Sequence, residues 1–198
     1  MTLTCVLFAG GESRRMGTDK ALLTVNGEPL WARQLKILRA LEPAALWVSA
    51  RTRPAWCPAE IETVLDEPPS RGPLSGLGAA LKQLRTTHLL ALAVDLPRMK
   101  AGHLKNLWPR ARPRCGVLPM NGEDAEPLCA IYPGGEFAIQ SAEQALAGNN
   151  FSLQSFAGAL AQARRMETIL LSEAERGFYL NVNTPDELGA LDCKPGLL

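Results

Sequence analysis

Histidine and aromatic side chains are scarce in this chain of 198 residues. It contains two histidines, and Phe, Trp and Tyr together make up 6% of the residues. No Ser–His–Asp or Cys–His arrangement is evident, so nothing in the sequence indicates a covalent catalytic intermediate. His88 opens a predicted strand and His103 lies in a predicted helix, and both are interpreted as structural residues.

The cysteines form no recognisable pattern. Five are present, at positions 5, 57, 115, 129 and 193. Their number is odd and no C-x-x-C pair occurs, so the sequence favours neither a disulfide framework nor a zinc knuckle. This usage is consistent with a reducing compartment, and we expect a cytoplasmic protein.

Excess charge and long apolar runs are also lacking. The formal net charge is +1, which indicates no large nucleic-acid footprint. No run of about 18 apolar residues occurs, so no membrane span is expected. The apolar stretch near the start is too short for a signal peptide, and its arginines follow rather than precede it. We therefore expect neither nucleic acid nor membrane as a partner.

Alternating strand-like and helix-like segments favour an α/β fold with a mostly parallel sheet and helices on both faces. We predict one domain over residues 1–198, with a frayed tail at 193–198. The predicted strands cover residues 3–8, 45–50, 61–65, 88–94, 116–120, 127–132, 166–171 and 178–182. The predicted helices start at Pro29, cover 74–84, 136–147 and 152–163, include 104–107, and start again after Thr184.

A glycine-rich basic loop follows the first predicted strand. Gly10-Gly11 allows a sharp turn and a close backbone approach to a ligand. Arg14, Arg15 and Lys20 then bring positive charge suited to phosphate oxygens. The spacing matches neither a P-loop nor the G-x-G-x-x-G fingerprint. The segment predicts a nucleoside triphosphate site at the carboxyl end of the strand.

Two aspartates end two other predicted strands. Asp66 follows the strand at 61–65, and Asp95 follows the most continuous apolar run. In an open α/β sheet the ligand crevice lies outside the carboxyl ends of the strands, so the loops 9–20, 66–76 and 95–99 should converge. Magnesium takes one or two carboxylates together with phosphate oxygens and waters, which suits such a site.

These motifs resemble a known family. Residues 7–23 read Leu-Phe-Ala-Gly-Gly-x-Ser-x-Arg-Met-Gly-x-Asp-Lys-x-Leu-Leu, which closely resembles the opening signature of the molybdenum cofactor nucleotidyltransferases and is most similar to the MobA family. Further matches follow in the family's order at Gly27-x-Pro29-Leu30, Gly72-Pro73-Leu74-Ser75-Gly76, Asp95-Leu96-Pro97, Pro127-Leu128-Cys129-Ala130 and 181–188. The resemblance implies a Rossmann-like three-layer α/β/α fold of the nucleotide-diphospho-sugar transferase type.

The resemblance also implies a reaction and a set of residues. GMP would pass from GTP to molybdopterin with magnesium, pyrophosphate would leave, and carrier or acceptor proteins of the cofactor would be further partners. The implied catalytic residues are Arg15, Lys20 and Asp95. The implied nucleotide contacts are Phe8, Ala9, Gly10, Gly11, Ser13, Lys20, Ser49, Asp66, Gly76 and Asp95. The implied magnesium ligands are Asp95 and Asn183, and the implied acceptor contacts are Glu126, Pro127 and Asn181.

Three departures from the family pattern leave alternatives open. Ser49 stands where the family often has Asn, which bears on base selectivity. Glu126 stands where His or Gln is common, and residues 149–153 lack an Arg that the family often has there; both bear on the acceptor. A cytidylyltransferase of the same cofactor and a sugar-phosphate nucleotidyltransferase therefore remain alternatives. A third is a nucleotide-binding module without transfer chemistry.

Overall fold

The computed structural model describes residues 1–9 and 19–182. The strands are β1 Leu3–Phe8, β2 Thr24–Val25, β3 Glu28–Pro29, β4 Ala45–Ala50, β5 Glu62–Leu65, β6 His88–Ala93, β7 Gly116–Asn121, β8 Asp124–Ala125, β9 Cys129–Pro133 and β10 Met166–Leu170. The α-helices are α1 Leu30–Arg39, α2 Pro73–Gln83, α3 Ala101–Leu107, α4 Glu136–Ala147, α5 Leu153–Gln162 and α6 Glu173–Arg176. The predicted helix after Thr184 and the tail at 193–198 lie outside the described residues.

One mixed sheet organises the molecule, with the strand order β10-β7-β9-β6-β1-β4-β5. Strands β5, β4, β1 and β6 run parallel to one another. Strand β9 is antiparallel to both of its neighbours, and β10 is parallel to β7. The predicted mostly parallel α/β sheet is confirmed.

The two central strands explain this arrangement. All six residues of β1 and all six of β6 are buried, as strands covered by helices on both faces require. Strand β6, predicted at 88–94, is parallel to β1 on one side and antiparallel to β9 on the other. An apolar run reports burial of both faces, whereas it carries no information on the direction of the next strand.

Helices cover both faces of the sheet. Successive side chains of a strand point to opposite faces, and Cys5 and Leu7 of β1 pack in one apolar cluster while Val6 and Phe8 pack in another. The first cluster includes apolar residues of α1 and α3, and the second includes those of α2, α4 and α5. The layers are therefore α/β/α. Among residues 1–9 and 19–182, no helix has both the length and the apolar content needed to cross a bilayer.

Residues 116–120 and 127–132, both predicted as strands, are strands that pair with each other in the structure, and the second is shorter than predicted. Strands β7 and β9 are antiparallel with Val117 opposite Ile131, and β9 starts at Cys129 rather than at Pro127. The short strand β8 folds back onto β7 through a turn in which Gly122 has a φ of +69°. Of the five cysteines, the four at 5, 57, 115 and 129 are free thiols, and Cys193 lies outside the described residues.

Two predicted elements differ in the structure. Residues 178–182 were expected to form a strand, but Gly177–Tyr179 is a short 3-10 helix and no strand follows it up to Val182. Tyr179 and Val182 are buried. The apolar side chains of this segment therefore pack into the core one by one, and the segment does not pair as a strand. Pro29 precedes α1 as its cap instead of being its first residue.

Both histidines are structural. His88 is fully buried, and its Nε2 lies 3.0 Å from the carbonyl oxygen of Arg112. His103 is also buried, with Nε2 2.8 Å from the hydroxyl of Tyr179. Burial lowers the pKa of each imidazole below its ordinary 6.5.

Candidate functional site

The carboxyl ends of four parallel strands lie side by side at one edge of the sheet. Phe8 at the end of β1 is level with Ser49 of β4 and with Ala93 of β6. The pairing continues past the strand ends, because Ala9 N donates to Ser49 O at 3.1 Å and Asp66 N donates to Ala50 O at 3.3 Å. The loops that follow β1, β5 and β6 therefore start from one edge, as predicted.

A pocket defined by Phe8, Ser49, Asp66 and Gly76 lies at the β4–β5 side of this edge. A Cβ atom at Gly76 would be 2.3 Å from Ser49 Oγ, 2.9 Å from Asp66 Oδ1 and 3.4 Å from Phe8 Cε1. Real Cβ atoms do not approach other atoms so closely, so a larger residue there would force these side chains to move. Four of the predicted nucleotide contacts thus meet around one missing side chain, and Ala9 begins the loop beside them.

The loop carrying Asp66 is held in shape by its own polar side chains. Ser70 Oγ donates to Asp66 Oδ2 at 2.7 Å, while Oδ1 faces Gly76. Arg71 N donates to Ser75 Oγ at 2.8 Å in the first turn of α2. Gly72, with a φ of +78°, caps this helix, which is a conformation that favours glycine. The turn aims one carboxylate oxygen into the pocket.

Lys20 and Asp95 form an ion pair next to this pocket. Lys20 Nζ lies 3.2 Å from Asp95 Oδ2, and the two side chains are 23% and 21% exposed. Lys20 begins a short 3-10 helix, Lys20–Leu22, and Asp95 follows β6. Two predicted catalytic residues that are 75 positions apart in sequence are therefore in contact.

Helix α1 supports the loop that carries Asp95. Gln34 Nε2 donates to Leu96 O at 2.6 Å, and Arg33 Nε donates to Pro97 O at 2.8 Å. Gln34 is fully buried, and its Oε1 has no hydrogen-bond partner among the described residues. The sequence placed Gln34 on the apolar face of α1 without assigning it a role. A single amide side chain on an otherwise apolar helix face was the signal in the sequence for this buried hydrogen bond.

The predicted acceptor contacts lie on the β9 side of Asp95. Ala93 N donates to Leu128 O at 2.7 Å, which places the segment after Pro127 beside the end of β6. Val182 N donates to Asp95 O at 3.1 Å, so the exposed Asn181 is adjacent to Asp95 in space.

Glu126 precedes this segment, and its backbone N–H donates to Pro119 O of β7 at 2.9 Å. Its side chain is partly buried, and Asn121 Nδ2 lies 3.4 Å from its Oε1. Burial raises the pKa of this carboxyl above its usual range, against the smaller opposite effect of Asn121.

Five predicted site residues fall outside the described parts of the chain. Gly10, Gly11, Ser13 and Arg15 belong to residues 10–18, and Asn183 belongs to residues 183–198. Their predicted roles stay predictions.

The described residues around Asp95 suit magnesium only if phosphate and water supply most of its ligands. The parts of the chain at 1–9 and 19–182 contain no group of three or more His, Cys, Asp or Glu side chains that could hold a metal ion. A protein-only cage is therefore not formed by these residues. A magnesium ion that takes most of its ligands from phosphate and water needs one or two carboxylates, and the partly exposed Asp95 supplies one.

The family follows from comparison with known proteins. The family model described as the MobA-like NTP transferase domain matches residues 5–168. This chain belongs to that family. The matched stretch of the MobA-like NTP transferase domain includes Lys20, Ser49, Asp66, Gly76 and Asp95, whereas Asn181 lies beyond it.

Curated relatives agree with this assignment. A protein of Opitutus terrae named "Probable molybdenum cofactor guanylyltransferase" is 36% identical over 188 residues, which cover 93% of this chain and 92% of that protein. The molybdenum cofactor guanylyltransferase of Xanthomonas euvesicatoria is 30% identical, with coverage of 95% and 93%.

Solved structures confirm the fold of this MobA-like domain. Molybdopterin-guanine dinucleotide biosynthesis protein A of Archaeoglobus fulgidus superposes with a TM-score of 0.70 at 21% identity, covering 96% of both chains. A nucleotidyl transferase of Methanothermobacter superposes with a TM-score of 0.74 at 14% identity, again covering 96% of both. The predicted α/β/α fold of the nucleotide-diphospho-sugar transferase type is confirmed.

Proposed function

We propose that this protein is a molybdenum cofactor guanylyltransferase, which transfers GMP from GTP to molybdopterin and releases pyrophosphate. One observation supports the proposal most directly: the Lys20–Asp95 pair has the Gly76 pocket on the β4 side of β6 and the segment after Pro127 on its β9 side. The proposed substrates are taken from the names of two relatives. These relatives are 36% and 30% identical to this chain over more than nine-tenths of its length. We further propose that residues 1–198 act as one domain.

The order of the strands separates the two substrates. The proposed donor pocket around Gly76 lies against β4 and β5, whereas the segment after Pro127 leads into β9. Strand β6, which ends at Ala93 shortly before Asp95, runs between the two sides. GTP in the donor pocket therefore directs its phosphates toward Asp95, where the terminal phosphate of the acceptor meets them.

The ion pair has a role before and during binding. In the free protein Lys20 and Asp95 neutralise each other. When GTP enters, Lys20 turns to the triphosphate, and Asp95 and Asn183 would hold magnesium, so that each charge keeps a partner. Arg15 and the backbone N–H groups of Gly10, Gly11 and Ser13 hold the remaining phosphate oxygens.

The transfer itself is a single in-line displacement. An oxygen of the acceptor phosphate attacks the α-phosphorus of GTP, the bond from that phosphorus to the bridging oxygen breaks, and pyrophosphate leaves. Magnesium, when bound, supplies positive charge that stabilises the phosphate oxygens. The protein contributes positioning and charge neutralisation through Lys20 and Arg15.

Glu126 lies on the proposed acceptor side, where burial raises the pKa of its carboxyl above the usual range. Glu126 and Pro127 together line the acceptor side, and carrier proteins of the cofactor are the proposed source of the acceptor.

Nucleotide preference is the first test. The melting temperature of the purified protein is measured with GTP, CTP, ATP and UTP, each with magnesium. A ligand that binds the native state alone raises this temperature, and we expect GTP to do so most. Stabilisation by CTP alone would instead indicate a cytidylyltransferase.

Turnover is the second test, because it separates an enzyme from a binding module. With molybdopterin as acceptor, we expect Lys20→Ala and Asp95→Asn to reduce pyrophosphate release by about 100-fold or more. Lys36→Ala, at an exposed position of α1, is the matched control and keeps full activity. GTP binding without pyrophosphate release in the wild type would contradict the transferase.

A further inference from the structure

Both carboxylate oxygens of Asp19 are held by hydrogen bonds. Oδ1 accepts the backbone N–H of Ala21 at 2.9 Å, which starts the short helix Lys20–Leu22. Oδ2 accepts the indole N–H of Trp56 at 2.9 Å. Trp56 is 37 residues away in sequence, on the connection between β4 and β5. A distant tryptophan therefore contacts the residue that immediately precedes Lys20.

Trp56 is itself fixed by a second tryptophan. Its ring stacks on that of Trp31, with centroids 5.3 Å apart and an angle of 17° between the planes. Trp31 lies in the first turn of α1. Stacked aromatic pairs of this kind are worth more than their buried area alone, so the indole N–H is held in one direction.

The loop that carries Trp56 is also internally braced. The guanidinium of Arg53 donates to Pro58 O at 2.7 Å, to Thr63 Oγ1 at 2.9 Å and to Ile61 O at 3.0 Å. Cys57 is buried, and its N–H donates to Pro54 O at 3.0 Å. Because the loop is ordered by these bonds, the contact with Asp19 costs little additional ordering.

Helix α1 thereby supports both members of the ion pair. Through Trp31 and Trp56 it reaches Asp19, beside Lys20. Through Arg33 and Gln34 it holds the loop after Asp95. The distance between Lys20 and Asp95 is thus set from one rigid element, which is the arrangement that positioning of a charged group requires.

We propose that Trp56 is a positioning residue for Lys20, acting through its indole N–H on Asp19. The inference rests on the proposed function in one respect: the proposed ligand of Lys20 is the triphosphate of a nucleotide. Loss of the N–H frees Asp19 Oδ2 and lets the Lys20–Leu22 turn leave the conformation in which Lys20 faces the site.

Trp56→Phe tests this contact because phenylalanine keeps a stacking ring and lacks the N–H. Titration of GTP with magnesium gives the dissociation constant of each variant. We expect Trp56→Phe to bind about tenfold more weakly, since a hydrogen bond to a charged group is lost. Trp108→Phe is the matched control. Trp108 packs on His88 at the start of β6, the opposite end of the strand from Asp95, and this variant keeps wild-type affinity.

A double-mutant cycle separates positioning from a general structural effect. In a Lys20→Ala background, Trp56→Phe should change GTP affinity by less than about twofold, because its target is absent. An equal loss in both backgrounds would show a structural effect and overturn the proposal, as would wild-type affinity of Trp56→Phe itself. If Trp56→Phe does not fold, Asp19→Asn leaves one acceptor oxygen for the two N–H groups of Ala21 and Trp56, and it is measured against the same Lys20→Ala background.

Failure of this inference and failure of the proposed function give different results. If the wild type binds GTP and Trp56→Phe binds equally well, the positioning role is wrong and the function stands. If the wild type binds none of the four nucleoside triphosphates, the proposed function is overturned and the inference with it.

Discussion

A missing methyl group shapes the donor pocket. Gly76 leaves the space in which Ser49 Oγ, Asp66 Oδ1 and the ring of Phe8 come together. Ser49 is buried, and its hydroxyl is shorter than the amide that is common in the family at this position. Under the proposed function, the hydroxyl oxygen of Ser49 and the carboxylate of Asp66 are the polar groups that meet the nucleotide here.

Gly76→Ala should close this pocket. Its Cβ would lie 2.3 Å from Ser49 Oγ and 2.9 Å from Asp66 Oδ1, so both side chains must move. We expect a loss of about 1–3 kcal/mol in the free energy of unfolding and a clear loss of GTP affinity, measured by urea denaturation and by titration.

Gly78→Ala, two residues further along α2, is the matched control. Its Cβ would lie 3.2 Å from Leu146 Cδ1, the end of a flexible side chain. We expect GTP affinity to be unchanged in this variant. A Gly76→Ala protein with wild-type affinity would show that the nucleotide does not occupy the space around Gly76.

Some residues of the site were predictable and others were not. Lys20, Asp66 and Asp95 stand in recognisable motifs at the ends of predicted strands. Gln34 and Trp56 were missed, because one bonds to a backbone carbonyl and the other to a carboxylate far away in sequence. The polar amide of Gln34 on an apolar face was a signal, but the distant partner of either residue cannot be read from its own neighbourhood.

At the scale of elements, two glycines have different roles. Gly116 lies at a close contact between strands, and Gly158 lies on an open face of a helix. Gly116 starts β7, and a Cβ there would lie 1.9 Å from the carbonyl oxygen of Ile131 in β9. Gly158 lies within α5, where a Cβ would meet no atom within 4 Å. The first glycine permits the approach of two backbones, whereas the second only makes the helix more flexible.

Alanine substitutions should separate these two roles. Gly116→Ala should lower the free energy of unfolding by about 3 kcal/mol or more, because backbone rather than a side chain must shift. Gly158→Ala should raise it by about 0.5–1 kcal/mol, because alanine favours the helix. Urea denaturation measures both values. A tolerated Gly116→Ala would contradict the β7–β9 contact.

Local pattern predicted most elements, and its failures have a common cause. Helix α4 was predicted with the same bounds as in the structure, and β4 likewise. Residues 178–182 are mostly apolar, like a short strand, yet the backbone N–H of Val182 bonds to Asp95 O rather than to a neighbouring strand. Periodicity reports which side chains are buried, whereas the backbone partner is decided by tertiary packing.

At the scale of the whole molecule, the buried histidines couple folding to pH. Burial lowers the pKa of His88 and His103 in the folded state below 6.5. Above pH 6.5 both histidines are neutral in either state. As the pH falls below 6.5, the unfolded chain binds protons that the folded chain does not, so stability is lost. Glu126 acts oppositely: its raised pKa contributes stability below its ordinary 4.5, which is lost as the pH rises through the folded value.

His88→Gln isolates one of these contributions. The free energy of unfolding is measured by urea denaturation from pH 7.5 to pH 5 for the wild type and the variant. We expect the wild type to lose more stability than His88→Gln over this interval, because the variant has one fewer group to protonate on unfolding. The difference between the curves cancels the effect of Glu126. Parallel curves would show that His88 titrates alike in both states.

The sequence by itself determined the layered α/β fold, the bounds of most elements and the polar residues at the strand ends. Apolar periodicity, glycine and proline act within a few residues, so they are visible in the chain itself. Only the tertiary structure decided that Lys20 lies 3.2 Å from Asp95, that Ser49 and Asp66 meet at Gly76, and that β9 runs antiparallel. These contacts depend on the order of strands in the sheet and on hydrogen bonds between distant segments, and local patterns carry no record of either.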